Sequence, residues 1–343
     1  MTGVQTCALP ISDACHVSLL PFVSPLLLWM KLAPRYGAAM RERCFDTGLN
    51  RALMQKLQPC DVIIGMSGIY LEALRFAKAR FGARIWLERG SRHIVSQDEI
   101  LARIPGAERP SAWTIRRELE GYALADRIVV ASKHVVDSFR FDESALGKLF
   151  LDPYGVDLAM FPQREPRPAA SPMNLLYVGA WSLRKGCDLL AEAVRRTPGV
   201  VLTHVGSVSD AAFPNEPRFV RVGAVPQHDL SRHFHAADAF VLASREDGFG
   251  VVLSQALASG LPVICTDRTG GPDLAFSPAL AERIVVVPHE NIDALANAIA
   301  ALRDRLAAGR VFATLPSQDR ETLSWTAYGR RYDDELRREF ATA

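Results

Sequence analysis

One stretch of the sequence decides the fold, and it reads Ser244-Arg-Glu-Asp-Gly-Phe-Gly-Val-Val-Leu-Ser-Gln-Ala-Leu-Ala-Ser-Gly-Leu-Pro-Val-Ile264. An apolar strand ends at Ser244, a turn with acidic residues and two glycines follows, and a helix begins at once. Gly248 and Gly250 let the backbone approach a ligand closely, and free amides at a helix start favour an anion or an array of hydroxyls. Ligands of open parallel sheets bind at the carboxyl ends of strands. The pattern therefore predicts a ligand site here; the alternative is a plain strand–turn–helix with two convenient glycines.

The rest of the chain alternates short apolar runs with longer amphipathic segments, which predicts parallel sheets covered by helices on both faces. The length of 343 residues allows two domains. A proline-rich segment between Pro162 and Pro172 predicts the linker between them. We therefore expect a first domain over 12–165, a second over 172–322, and a C-terminal helix over 323–343 that crosses back to the first.

Composition and charge exclude several classes of function. Hydrophobic residues make up 49% and charged residues 23%, as in ordinary globular proteins. The balance of 40 basic and 38 acidic residues gives 40 − 38 = +2, too even for a nucleic-acid-binding face. Six cysteines without a Cys-x-x-Cys pair fit neither a zinc ribbon nor a disulfide scaffold, so we predict a cytoplasmic protein. The chain also lacks the glycine-rich phosphate loops of NTPases and of dinucleotide oxidoreductases.

The N-terminal segment gives two further expectations. Residues 1–11 resemble a translated sequencing adapter, and they have neither the basic nor the sustained apolar region of a signal peptide. We therefore predict that the natural N-terminus is missing and that the first domain is incomplete. The apolar segment 17–30 is too short to span a bilayer, which needs about 20 residues. It predicts a buried helix, or a membrane-surface helix, since basic residues (Lys31, Arg35, Arg41 and Arg43) follow it closely.

The stretch at 244–264 resembles the signature of the family 4 glycosyltransferases, which are retaining enzymes of the GT-B fold that use nucleotide sugars. In that signature Glu-Gly-Phe-Gly is followed, after four more residues, by a second Glu, and the segment closes with Gly-x-Pro-Val. Asp247 and Gln255 stand at the two glutamate positions here. The resemblance implies that Asp247 or Glu246 binds a donor-sugar hydroxyl and that Gln255 hydrogen-bonds the ribose without carrying a charge.

Other segments match the same family in the same order. The segment Val178-Gly-Ala-Trp-Ser-Leu-Arg-Lys-Gly186 resembles its diphosphate-binding loop, with Ala180 at the position of the family arginine and Arg184 as the expected substitute. Residues 125–133, 153–157, 269–273 and 324–329 resemble four further family segments. The loop that begins at Glu88 occupies the place of one that faces the donor, commonly with a histidine that contacts the sugar, which here is His93.

The resemblance implies the following site. Catalytic roles fall to His93, Asp247, Arg184 and Lys185, and donor binding to Gly179, Arg184, Lys185, Glu246, Asp247, Gly248, Phe249, Gly250, Ser254, Gln255 and Gly271. No cofactor and no metal are expected. The partners implied are a UDP-, GDP- or ADP-sugar donor and a sugar or lipid-linked acceptor, with a peripheral contact at the inner membrane face as an option.

The fold class that follows is α/β of the GT-B type, with two Rossmann-like, doubly wound domains facing a cleft. The function that follows is retaining transfer of a sugar from a nucleoside diphosphate to an acceptor hydroxyl in the synthesis of bacterial cell-surface polysaccharide or glycoconjugate. Two alternatives remain open. One is a nucleotide-sugar epimerase of the same fold, and the other is a non-catalytic remnant that binds a nucleotide without turnover.

Overall fold

The computed structural model describes residues 24–25, 27–29 and 37–341. Residues 1–11 and most of the apolar segment 17–30 lie outside the described residues, so the expectations about them stay predictions. Within the described ranges, no helix combines the length and the apolar character that crossing a bilayer requires. The predicted peripheral membrane contact also stays a prediction.

Helices and strands alternate along the chain. The first part contains α1 (Ala38–Met54), β1 (Val62–Met66), α2 (Leu71–Phe81), β2 (Arg84–Arg89), α3 (Ile94–Ala102), α4 (Ala112–Leu124), β3 (Arg127–Val130), α5 (Lys133–Asp137), α6 (Glu143–Leu146) and β4 (Leu149–Leu151). The second part contains β5 (Met173–Val178), α7 (Cys187–Arg196), β6 (Val200–Val205), β7 (Phe219–Gly223), α8 (Leu230–Ala236), β8 (Ala239–Leu242), α9 (Val251–Ala258), β9 (Val263–Thr266), α10 (Pro278–Ala281), β10 (Ile284–Val287), α11 (Ile292–Ala307), α12 (Ser317–Glu321) and α13 (Trp325–Ala341). The residues from Pro162 to Ala170 form neither helix nor strand.

The described residues fall into two compact units. Unit 1 takes the described residues before Gly90, together with Pro110–Val129 and Gly147–Leu149. Unit 2 takes Gly90–Arg109, Val130–Leu146 and the chain from Phe150 onward. The segments Gly90–Arg109 and Val130–Leu146 thus belong to the same unit as the region after the linker. The domain boundaries expected from the sequence stay predictions.

Unit 1 contains β1, β2 and all but the last residue of β3, which belong to a four-stranded sheet in the order β1-β2-β3-β4. Strands β1 and β2 are parallel, with Val62 opposite Arg84 and Met66 opposite Glu88. Helix α2 has apolar side chains at helical spacing and buries four of them (Leu71, Ala73, Leu74 and Ala77). It ends where Gly82 adopts a left-handed conformation with φ of 68°, a common C-terminal stop signal.

Unit 2 is built on a six-stranded sheet in the order β10-β9-β8-β5-β6-β7, in which every neighbouring pair is parallel. All residues of β8 and β9 are buried, as continuous apolar strands covered on both faces must be. The strand order reverses between β5 and β8, because the chain builds outward to β7 first and then outward to β10. Ligands of doubly wound sheets bind at this switch point.

The last helix, α13, is tied to the carboxyl end of β4 by an ion pair. Arg331 Nε lies 2.6 Å from Asp152 Oδ1, and Arg331 Nη2 donates to the carbonyl of Pro153 at 2.8 Å. Burial raises the pKa of the Asp152 carboxyl to about 6, although Arg331 opposes the shift. Because this folded-state pKa lies above the ordinary value, ionisation of Asp152 between about pH 4 and 6 disfavours the folded state.

We expect Arg331→Leu to lower the thermal unfolding midpoint more at pH 8 than at pH 5. At pH 8 the variant buries an ionised Asp152 without its partner, whereas at pH 5 this carboxyl is mostly protonated in either protein. Removing one partner of a buried pair typically costs about 3–5 kcal/mol. Since the side chain of Arg331 is 34% exposed, the lower end of that range is expected.

Differential scanning calorimetry at the two pH values measures the effect. The matched control is Arg337→Leu on the same helix, whose ion pair with Asp333 is exposed, and it should change little at either pH. Equal losses at both pH values for Arg331→Leu would contradict the account of Asp152.

Candidate active site

The candidate site lies in unit 2, where β5 and β8 end side by side at the switch point of the sheet. The segment after β5 carries Arg184 and Lys185 and leads into α7, and the segment after β8 carries Glu246 and Asp247 and leads into α9. Main-chain hydrogen bonds join the two segments, since the amides of Arg245 and Glu246 donate to the carbonyl of Arg184 at 3.0 and 3.4 Å. The predicted strand–turn–helix is therefore observed, and two cations face two carboxylates across it.

Glu246 is held by an ion pair and by a hydroxyl. Its side chain is completely buried, and its Oε2 accepts from Arg184 Nη1 at 2.9 Å. Its other oxygen, Oε1, accepts from Ser91 Oγ at 2.6 Å. Burial by itself would raise the pKa of Glu246, but Arg184 and then Ser91 outweigh burial and hold this pKa below its ordinary value. The carboxylate is therefore charged at neutral pH. Arg184 keeps 36% of its side chain exposed, which leaves it accessible to a ligand.

Asp247 forms the second ion pair, with Lys185. Burial favours a raised pKa for this carboxyl, but Lys185 and then Arg184 hold the pKa of Asp247 below its ordinary value. Burial and the neighbouring Arg184 both lower the pKa of Lys185, and Asp247 opposes them. The four groups thus form one compact, charge-balanced cluster in which two carboxylates fix the directions of two cations.

The turn between β8 and α9 leaves no room for side chains at its glycines. A Cβ on Gly248 would lie 1.7 Å from the carbonyl oxygen of Gly90, and Gly250 has φ of 80°, which favours glycine. The carbonyl of Gly248 accepts from Ser132 Oγ at 2.6 Å. The buried Phe249 ring meets the Tyr154 ring edge-on at 5.7 Å. These contacts fix the turn, so Gly248, Phe249 and Gly250 shape the site through the backbone.

Three more of the predicted donor-binding residues, Gly179, Ser254 and Gln255, lie just after β5 or on helix α9. Gly179 follows β5, and its carbonyl accepts from His204 Nε2 at 2.9 Å. Ser254 and Gln255 are buried on α9, and the structure gives Ser254 Oγ and Gln255 Oε1 no hydrogen-bond partner among the described residues. Buried polar atoms are normally hydrogen-bonded, so these two oxygens can accept hydrogen bonds that the described residues do not supply. The predicted donor contacts of Gly179, Ser254 and Gln255 stay predictions.

Gly271 is buried at the start of a short 3₁₀ turn, Gly271–Leu274. A Cβ there would come within 2.2 Å of Cys265 Sγ, so the position requires glycine for packing. The preceding Gly270 amide donates to the carbonyl of Phe249 at 2.7 Å, which links this loop to the turn after β8. The predicted donor contact of Gly271 stays a prediction.

His93 caps a helix. Its Nδ1 accepts from the amide of Val95 at 3.3 Å, and its Nε2 lies 3.4 Å from Asp142 Oδ2. The ring is buried and packs edge-on against Phe139 and Phe141. The fold therefore uses both ring nitrogens, and this geometry is structural. The catalytic role expected for His93 stays a prediction.

Another histidine, His134, is influenced electrostatically by the cluster, although no local sequence pattern indicates it. Burial and then Arg92 lower the pKa of His134 to about 4, while Asp247 and Glu246 oppose this shift. It follows β3 by four residues, so the rule that sites lie at carboxyl ends of strands is the signal that points to it. Among the described residues, no group of three or more His, Cys, Asp or Glu side chains is placed to hold a metal ion. The expected independence of metal stays a prediction.

Comparison with protein-family models matches residues 172–305 to the family described as "Glycosyl transferases group 1". The predicted resemblance to glycosyltransferases is confirmed. The glycogen synthase of Mycobacterium tuberculosis is 36% identical over 129 residues, which are 34% of this chain and 31% of that protein. The D-inositol 3-phosphate glycosyltransferase of Segniliparus rotundus is 29% identical over 190 residues, 48% of this chain and 41% of that protein. The chain thus spans less than half the length of these curated relatives.

Solved structures extend the likeness to most of the chain. The sucrose-phosphate synthase of Thermosynechococcus elongatus aligns with a TM-score of 0.70 and 22% identity, covering 90% of this chain and 81% of that one. HepE of Anabaena, solved in complex with UDP and glucose, aligns with a TM-score of 0.60 and 14% identity, covering 88% and 83%. The GT-B fold class, with two Rossmann-like parallel sheets, is therefore confirmed. The narrower assignment to family 4 and the incomplete first domain stay predictions.

Proposed function

We propose that the chain is a retaining glycosyltransferase, which transfers a sugar from a nucleoside diphosphate to an acceptor hydroxyl. The observation that carries this proposal is the pair of cations, Arg184 and Lys185, held by buried carboxylates at the switch point of the six-stranded sheet. The match to group 1 glycosyltransferases covers this same region. Binding of UDP by the structural neighbour HepE supports a uridine nucleotide as the first donor to test, with GDP and ADP sugars next.

In this proposal the diphosphate binds next to Arg184 and Lys185. Arg184 offers a planar fork that suits phosphate oxygens, and Lys185 adds a second positive charge. Helix α7 begins directly afterwards, at Cys187, so its first amides also face an anion. The two cations and the first amides of α7 stabilise the negative charge of the diphosphate, as a divalent metal does in other enzymes. We therefore expect transfer without a metal.

The buried carboxylates then orient the sugar, and Gln255 orients the ribose. Glu246 and Asp247 are charged hydrogen-bond acceptors. Once Arg184 and Lys185 also bind the diphosphate, each carboxylate can accept a hydrogen bond from a sugar hydroxyl. Gln255 has a buried, unpartnered amide oxygen, which suits a ribose hydroxyl. We therefore assign Asp247 and Glu246 to the transferred sugar and Gln255 to the nucleoside.

We propose front-face transfer for the chemical step. The bond between the anomeric carbon and the β-phosphate oxygen breaks, and the acceptor oxygen bonds to the same face of that carbon. The proton of the acceptor hydroxyl passes to the departing phosphate oxygen. Stabilising the charge that grows on the leaving diphosphate is then the main catalytic contribution of Arg184 and Lys185.

Turnover with labelled sugar nucleotides tests the function. We expect release of the nucleoside diphosphate and transfer of label to an acceptor in the presence of EDTA, with the anomeric configuration of the donor retained. Asp247→Asn keeps the shape of the side chain but removes its charge, so turnover should fall at least about tenfold while nucleoside diphosphate affinity survives. Epimerised donor without transfer would indicate the epimerase, and binding without turnover would indicate the non-catalytic remnant.

The phosphate contact has its own test. We expect the double variant Arg184→Met/Lys185→Met to weaken nucleoside diphosphate binding about 100-fold or more, because hydrogen bonds to charged groups contribute about 1.5–3 kcal/mol each. Isothermal titration calorimetry with UDP, GDP and ADP measures this. The control is Arg245→Met, a neighbouring arginine that pairs with Asp188 and Glu290. Unchanged affinity in the double variant would remove Arg184 and Lys185 from the site.

A further inference from the structure

A pocket in unit 2 lies at the opposite edge of the six-stranded sheet from the candidate active site. Asp238 and Gly260 are part of its lining. Asp238 directly precedes β8, and Gly260 lies between α9 and β9, so the pocket is at the amino ends of these strands. Glu246 and Asp247 instead follow the carboxyl end of β8. The length of β8 therefore separates the pocket from the predicted diphosphate contact.

Arginine side chains surround this pocket. Arg164 and Arg167, from the proline-rich segment, line it together with Arg310, which follows α11. Arg283 lies beside them, because its Nη1 donates to the carbonyl of the lining residue Gly260 at 3.1 Å. We call the region enclosed by these four arginines the arginine pocket.

The carboxylates next to the arginine pocket balance only half of its positive charge. Asp238 Oδ1 lies 3.0 Å from Arg167 Nη1, and Glu282 Oε2 lies 2.8 Å from Arg310 Nη2. Among the described residues, the hydrogen bonds of the other two guanidinium groups go to main-chain carbonyls instead. Four guanidinium groups and two carboxylates give 4 − 2 = +2 for these six groups.

The pKa of Arg164 reflects this excess of positive charge. Burial and then the charge of Arg167 lower the pKa of Arg164 to about 10, with a further contribution from Arg283 and opposition from Asp238. Arg164 is still protonated at pH 7, so the pocket contains half-buried positive charge that the chain does not fully compensate. Uncompensated charge away from water is unfavourable, and an anion from solution would relieve it.

The guanidinium groups are fixed in position and still have donors for a ligand. Each arginine has five N–H donors. Among the described residues, Arg164 makes one hydrogen bond, to the carbonyl of Ala237 just after α8. Arg167 donates to the same carbonyl at 3.1 Å and to that of Ala236 at 3.0 Å. Nε of the buried Arg283 has no acceptor among the described residues.

The chemistry and the size of the arginine pocket indicate the class of ligand. Planar guanidinium groups with fixed directions suit the oxygens of a phosphoryl group, which they bind through paired hydrogen bonds. The cavity volume of about 10 Å³ has room for about one water-sized group. A ligand can therefore insert one oxygen into the pocket, while the rest of its phosphoryl group stays at the mouth.

We propose that the arginine pocket binds a phosphoryl group of a small molecule through Arg164, Arg167 and Arg310. A soluble phosphate ester and the headgroup of a phospholipid both carry this group. The proposal is independent of the proposed function, because none of the residues assigned to the sugar nucleotide lines the arginine pocket.

Isothermal titration calorimetry of the full chain with inorganic phosphate and with glycerol 3-phosphate tests the soluble source. We expect Arg167→Met and Arg310→Met each to weaken binding about tenfold, as loss of a hydrogen bond to a charged group does. Arg310 is exposed, so its variant should stay folded even if Arg167→Met does not. Thermal unfolding without phosphate reports the folding of each variant.

Glu282→Gln gives a prediction of the opposite sign. The carboxylate of Glu282 is 43% exposed and pairs with Arg310, so its neutralisation frees the guanidinium and removes a charge that repels phosphate. Phosphate affinity should rise about threefold, whereas a variant that merely damaged the fold would lower it. The matched control is Arg232→Met, an exposed arginine near Asp229, which should leave phosphate affinity unchanged.

Sedimentation with phosphatidylcholine vesicles, with and without phosphatidic acid, tests the lipid source. Sedimentation that requires phosphatidic acid and is lost in Arg310→Met would support a phospholipid headgroup, and calorimetric binding alone would support a soluble ester. Absence of binding in both assays, or equal binding by the native chain and the folded arginine variants, would overturn the proposal.

Binding at the switch point is distinguished by the double variant Arg184→Met/Lys185→Met. If that variant loses phosphate binding while Arg310→Met keeps it, phosphate binds at the switch point and the arginine pocket is not its site. We expect the reverse pattern. UDP affinity, measured separately, tests the proposed function and should be unchanged in Arg310→Met.

Discussion

Two buried carboxylates constrain the rest of the site. Glu246 has no exposed surface and Asp247 is 9% exposed, so each ionised group requires compensation inside the fold. Arg184 and Lys185 supply the compensation, and in doing so they are held in fixed directions at the switch point of the six-stranded sheet. A buried ion pair generally adds little to stability compared with well-packed apolar residues in the same place. The two ion pairs matter here because they orient two cations before any anion binds, which is the condition for electrostatic catalysis.

The topology of the six-stranded sheet explains why these four residues meet. Arg184 and Lys185 follow β5, and Glu246 and Asp247 follow β8, which are about 60 positions apart in the chain but adjacent in the sheet. Ligands of doubly wound sheets bind at such a switch point. The turn at Gly248 is held next to this point, because its backbone packs directly on Gly90.

Much of this architecture is readable from local sequence. The sequence predicts a helix over Leu71–Phe81 because Leu71, Leu74, Arg75 and Lys78 stand at helical spacing, and α2 has these bounds. The strands β6 and β8 are likewise predicted with their observed bounds, since they are apolar runs flanked by polar residues or turns. The edge strand β10 was not predicted, and its partly exposed residues carry a weaker pattern. Helix α3 was also not predicted, and it begins with the β-branched pair Ile94 and Val95, which favours strand as much as helix.

The candidate site likewise has one part that local sequence predicts and another part that depends on contacts between distant segments. The two cations lie in one short segment, 178–186, and the turn and the two carboxylates lie in another, 244–264. Each segment resembles a family motif, so both can be recognised without a structure. The environments of His93 and His134 depend on partners about 40 to 50 positions away, at Asp142 and Arg92. No local pattern shows that the first ring contacts the fold through both nitrogens while the second lies beside the guanidinium of Arg92. That difference arises only when the segments Gly90–Arg109 and Val130–Leu146 pack together within unit 2.

The central claim is that a nucleoside diphosphate binds at the switch point of unit 2, and hydrogen–deuterium exchange with and without UDP tests it most directly. The ligand should order the segments that carry the charged cluster, so amide exchange should slow at residues 182–188 and 244–256 and remain unchanged in β1, α2 and the rest of unit 1. GDP and ADP provide the same comparison for a different base. Protection confined to unit 1, or protection that avoids both segments while a nucleotide is bound, would contradict the account.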